Sequence, residues 1–118
     1  MTLLKPTLGE MWDRLTVLTM KLQHAEASGN EEAERKLNAE YQAISAAMEV
    51  SGSQVHLPLI LRLAAVNGRL WQLHEGELPK QITLELALQL NGQRLAAVRE
   101  IDQWAGEESA VAKSWEKK

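Results

Sequence analysis

Residues 7–30 read TLGEMWDRLTVLTMKLQHAEASGN, and this stretch decides the fold class. Thr7 and Glu10 stand three apart, the spacing of a capping box in which each side chain satisfies the other residue's free backbone N–H. Behind the box, Leu8, Met11, Leu15, Leu18, Leu22 and Ala25 recur at steps of three and four. Such steps return every side chain to one helical face, giving the apolar a/d seam along which helices pack. Gly29 is placed to end the segment in the left-handed conformation that glycine adopts freely. The reading is one long amphipathic helix.

Outward from it, Asn30 can cap a second helix whose first turn carries Glu31 and Glu32, favoured there by the helix dipole. Its stripe is Ala33, Leu37, Tyr41, Ile44 and Met48, and Ser51-Gly52-Ser53 supplies turn chemistry at its end. The short link between the first and second helices predicts that they form an antiparallel hairpin. A third helix begins near Leu57-Pro58, since proline fits a first turn. Its stripe is Leu59, Leu63, Val66, Leu70 and Leu73; Ile60, Ala64 and Trp71 widen it, so burial on more than one side is expected. After Gly76 and Pro79 a fourth helix carries Leu84, Leu88, Asn91, Leu95, Val98 and Ile101 on to Trp104, with Gly106 as its stop. The expectation is an all-α, antiparallel bundle of about four helices with coiled-coil-like packing. It spans residues 1–106 as one domain, with 107–118 as a tail in which Trp115 is an anchor candidate.

Asn67-Gly68 and Asn91-Gly92 run against this reading, because Asn-Gly is a strong hairpin signal. Neither lies between alternating strands, and the helical period passes through both unshifted. Each glycine is expected to let two helices approach closely, with a kink as the alternative.

Composition narrows the function classes. The 118 residues suit one domain, and an apolar share of 45% suffices for a core. The absence of cysteine removes disulfides and thiolate metal sites and fits a reducing compartment. Met1 to Pro6 does not read as a signal peptide, and no run approaches the ~18 apolar residues of a membrane span, so a cytoplasmic location is expected. Thirteen basic and sixteen acidic residues are interspersed to a net charge of −3, without the basic stripe of a nucleic-acid binder. Neither nucleic acid nor membrane is expected as a partner.

Few residues could carry chemistry. Glu10-x-x-Asp13 and Glu31-x-x-Glu34 offer the paired carboxylates with which helical nucleoside triphosphate hydrolases hold Mg²⁺, but such pairs are common in acidic helices, and a capping-plus-solvation role is the reading preferred. Glu10 and Arg14 are spaced as surface partners. Asn67 and Asn91 fall on or beside apolar stripes, where an amide either fixes helix register or lines a pocket. In the pocket reading Asp13, Arg14, Asn67 and Asn91 converge on a polar ligand. His24, His56 and His74 share no ligand spacing, and Thr16, Thr19 and Ser45 are expected to bond back to the helix backbone. No hydrolase motif or phosphate-binding glycine loop is present.

Leu8-Gly9-Glu10-Met11-Trp12-Asp13-Arg14-Leu15-Thr16-Val17-Leu18, with Lys21 following, resembles the opening of an uncharacterised family of small bacterial and phage helical proteins. Val66-Asn67 with Leu70-Trp71, Leu90-Asn91 with Arg94 and Ile101, and Lys113-Ser114-Trp115 extend the resemblance over nearly the whole chain. Gly68 and Gly92 depart from it, as does a tail without acidic residues just before its lysine. The family brings no established activity; the resemblance singles out Glu10, Asp13, Arg14, Lys21, Asn67, Trp71 and Asn91. The function expected is that of a non-enzymatic interaction or accessory protein, a homodimer that takes no cofactor and engages a second copy or another protein. The alternative is a Mg²⁺-dependent nucleotide-binding or pyrophosphohydrolase-like protein using Glu10, Asp13, Glu31 and Glu34. A pocket formed by Asp13, Arg14, Asn67, Trp71 and Asn91 is compatible with either.

Overall fold

The computed structural model describes residues 6–50, 56–76 and 79–106; Ser51-Gly52-Ser53 and Trp115 lie outside them. Four helices follow one another: α1 (Leu8–Ser28), α2 (Glu31–Val50), α3 (Leu57–Glu75) and α4 (Lys80–Trp104). No strand occurs among the described residues. The fold is an all-α bundle.

The boundaries follow local chemistry. Thr7 Oγ1 accepts from the Glu10 N–H at 3.2 Å, so the threonine half of the capping box forms. Gly29 at φ 69° closes α1, with its N–H bonded to Glu26 O and the Asn30 N–H to Ala25 O, the paired bonds of a Schellman motif. Asn30 Oδ1 then accepts from the Ala33 N–H and caps α2. His56 Nδ1 caps α3 through the Leu59 N–H at 3.3 Å. Both Asn-Gly pairs lie inside unbroken helices.

α1 runs antiparallel to α2, with Arg14 paired to Glu40. α3 runs antiparallel to α4, tied by Arg62 to Glu100 and by the His56 ring set edge-on to Trp104. The two hairpins meet along α1, whose backbone neighbours are α2, α3 and α4. The core gathers Leu8, Met11 and Leu15 of α1, Met48 of α2, Ile60 and Leu63 of α3, and Ala97, Val98 and Ile101 of α4. The seam expected of α1 is realised: Leu8, Met11, Leu15, Leu18 and Ala25 are buried.

Two expectations are corrected. Gly68 and Gly92 mark no close approach, because a β-carbon built at either meets nothing within 4 Å. The close approach is at Gly9, where a β-carbon would lie 2.4 Å from the Val98 carbonyl and 2.7 Å from an Asp102 carboxylate oxygen. The second correction concerns the phase of α4. Its expected stripe is buried only at Val98 and Ile101, while Leu84, Leu88 and Leu95 stand 62%, 67% and 45% exposed, and Asn91 is exposed too. The row turned inward is Thr83, Ala87, Leu90, Arg94, Ala97 and Ile101, which has the same three-and-four spacing one step away. Long-range polar contacts fix this choice. Asp102, 1% exposed, accepts the Gly9 N–H at 2.7 Å, and Arg94 faces Asp13. Rotating the leucine row inward would break both.

Candidate functional site

The sequence singles out polar side chains beside the seams, and the structure joins some of them where α1, α3 and α4 meet. Asn67, 3% exposed, uses both N–H bonds of its amide: Nδ2 donates to Asp13 Oδ1 and to Thr16 Oγ1, each at 2.8 Å. The Thr16 hydroxyl donates in turn to the Asp13 carbonyl at 2.9 Å. Arg94 Nη1 lies 3.6 Å from Asp13 Oδ2, so both carboxylate oxygens are engaged. A buried amide with its donors satisfied stabilises a unique packing, whereas either partner alone would be left desolvated and unpaired. Chemically, this cluster clamps three helices. Its hydrogen-bonding groups point at one another.

The remaining pocket candidates do not converge there. Arg14 turns outward to Glu40 and not to Glu10, Trp71 sets its ring edge-on to His24 with centroids 5.7 Å apart, and Asn91 is exposed on the far side of α4. The carboxylate pairs also stay apart. With Arg14 opposite Glu40, Glu31 and Glu34 fall roughly 9–14 Å further along α2 at 1.5 Å per residue. No group of three His, Asp or Glu side chains among the described residues is arranged to hold a metal ion. Glu10 is exposed.

Three contributors are not among the candidate residues, although Gly9 and Arg94 stand in the motifs of the resemblance. Arg94 and Asp102 lie in or beside the inward row of α4, and a charged residue on a three-and-four row is the signal that could have found them. Gly9 follows from neither period nor spacing, because its role is set by the carbonyl of Val98, far away in sequence. Two buried N–H groups, Trp12 Nε1 and Arg94 Nε, have no acceptor among the described residues.

The other notable surface is apolar. The outward face of α4 presents Leu84, Leu88 and Leu95 around Gly92, and Leu57 and Leu61 of α3 are more than half exposed. A cleft of about 500 Å³ between the end of α3 and the start of α4 is lined by Leu73, His74, Lys80, Thr83, Leu84 and Ala87. No helix among the described residues is long and apolar enough to cross a membrane.

Comparison of the chain with protein-family models, with curated proteins and with solved structures gives no match, so the family resemblance rests on its residues alone.

Proposed function

We propose that this chain is a non-enzymatic interaction protein that works in the cytoplasm as a homodimer, with the outward face of α4 as its contact surface. The observation that supports this reading is the phase of α4. The helix has two rows of similar spacing; the one that packs inside carries Thr83, Arg94 and two alanines beside Leu90 and Ile101, while Leu84, Leu88 and Leu95 of the other row stay outside. Leu84, Leu88 and Leu95 share one exposed helical face, and apolar side chains grouped on a surface mark contact sites in soluble proteins. Leu84, Leu88 and Leu95 take no part in the buried core. The Asp13, Thr16, Asn67 and Arg94 cluster then acts as the rigid clamp that holds α4 in its unusual phase. The absence of cysteine is compatible with a reducing compartment.

No observation favours the magnesium-dependent nucleotide reading, whose carboxylates lie on opposite ends of the α1–α2 hairpin. Sedimentation equilibrium of the full chain tests the proposal. A dimer at micromolar concentration is expected. A monomer throughout that range overturns the homodimer.

A further inference from the structure

The outward face of α4 is symmetric about Gly92 in a way that specifies a partner and an orientation. Leu88 lies four residues before Gly92 and Leu95 three after it, so a copy running the opposite way sets Leu88 beside the other Leu95. Glu85 lies seven residues before Gly92 and Arg99 seven after it. Both are exposed, and neither forms an ion pair among the described residues. Gln81 and Gln103, also exposed, stand eleven residues to either side. Seven residues are nearly two helical turns, so Glu85, Gly92 and Arg99 share one face.

A two-fold axis through Gly92 therefore brings opposite charges together twice and leucine against leucine twice. That is the self-complementarity an isologous contact requires. A parallel arrangement in register instead sets Glu85 against Glu85 and Arg99 against Arg99. Gly92 completes the fit. Space for a β-carbon there is open, so the notch between Leu88 and Leu95 lets a second helix come close. This also gives Gly92 a role that the isolated bundle does not.

Resting on the homodimer reading above, we infer that two copies associate antiparallel along α4, crossing at Gly92 with Glu85 of each copy paired to Arg99 of the other. The second copy is the occupant that the charge pattern selects, since one surface supplies both the acidic and the basic end.

The chain has no cysteine, which makes the test clean. Glu85→Cys and Arg99→Cys proteins are prepared separately, then treated with a short bismaleimide singly and as a mixture, alongside light scattering of the wild type. Both positions are exposed, and circular dichroism confirms the fold. Cross-linked dimer forming in the mixture and at most weakly in either protein alone is the expected result. Each variant cross-linking with itself overturns the antiparallel orientation in favour of a parallel one. A wild-type dimer without any of these cross-links places the contact elsewhere, so the inference fails while the homodimer reading stands. A monomeric wild type defeats both. As an independent readout, Glu85→Arg is expected to weaken association at least tenfold, and adding Arg99→Glu to restore it to within about threefold of wild type. Failure of the double variant to recover overturns the Glu85–Arg99 pairing.

Discussion

Replacing Gly9 by alanine tests the junction that sets the phase of α4. In an ordinary helix interior the change stabilises by about 1 kcal/mol, because alanine loses less backbone freedom on folding. Here the added β-carbon would sit 2.4 Å from the Val98 carbonyl oxygen and 2.7 Å from an Asp102 oxygen, well inside contact distance. The backbone carbonyl cannot swing away as a side chain can, so α1 and α4 must separate. Such overpacking costs about 1–3 kcal/mol. Separation also stretches the 2.7 Å bond from the Gly9 N–H to buried Asp102, and leaving a buried donor unpaired costs about 1–3 kcal/mol. Set against the helical gain, the net loss is about 1–5 kcal/mol, equivalent to a fall in Tm of roughly 4–20 °C for a domain of this size. Thermal unfolding followed by circular dichroism measures it. Gly68→Ala is the internal control, for its β-carbon meets nothing within 4 Å, and Tm should rise by about 2–4 °C. A Gly9→Ala protein as stable as wild type would falsify the close crossing of α1 and α4, and with it the reason given for the inward row.

Other substitutions separate the clamp from the surface. Asn67→Ala strands Asp13 and Thr16 at a buried junction and should cost about 2–3 kcal/mol in urea unfolding, whereas Asn91→Ala on the exposed face should change the stability of the folded monomer by less than about 0.5 kcal/mol. Arg14→Ala removes only a half-exposed pair with Glu40, so a loss below about 1 kcal/mol that fades further in high salt is expected. Asp102→Ala leaves the Gly9 N–H buried without its acceptor, and a loss of about 1–3 kcal/mol should appear in the same unfolding series. Gly92→Ala should act in two directions at once, raising monomer stability by up to about 1 kcal/mol while weakening self-association, read by melting dilute protein and sedimenting concentrated protein.

How far the sequence could be read depended on how local the deciding physics was. The seam of α1, its threonine cap, the Gly29 stop and the Asn30 cap are all settled within a few residues, and each is present as expected. Asn67 was recognisable as an amide that needed a partner, and Asp13 as a residue beside the seam; their contact joins both expectations. The phase of α4 was not legible. Two rows share its spacing, and hydrophobicity favours the leucines, yet Gly9 and Asp13, far away in sequence, hold the other row inside through Asp102 and Arg94. The same non-local physics misdirected the reading of Gly68 and Gly92. Each is a glycine inside a helix, but the partner that would explain a close approach is absent from the bundle itself. Of Asp13, Arg14, Asn67, Trp71 and Asn91, only Asp13 and Asn67 meet, because residues that share a helix need not share a face: Arg14 pairs with Glu40 and Asn91 is exposed.

The central claim is that the leucines turned out of the bundle form a contact surface. It is tested most directly by the solution mass of wild type and of Leu88→Glu at equal micromolar concentration, measured by light scattering. Leu88 is 67% exposed, so the substitution leaves the folded monomer intact. The account predicts twice the 13.2 kDa chain mass for wild type and a single chain mass for the variant. Equal masses for the two proteins would contradict it.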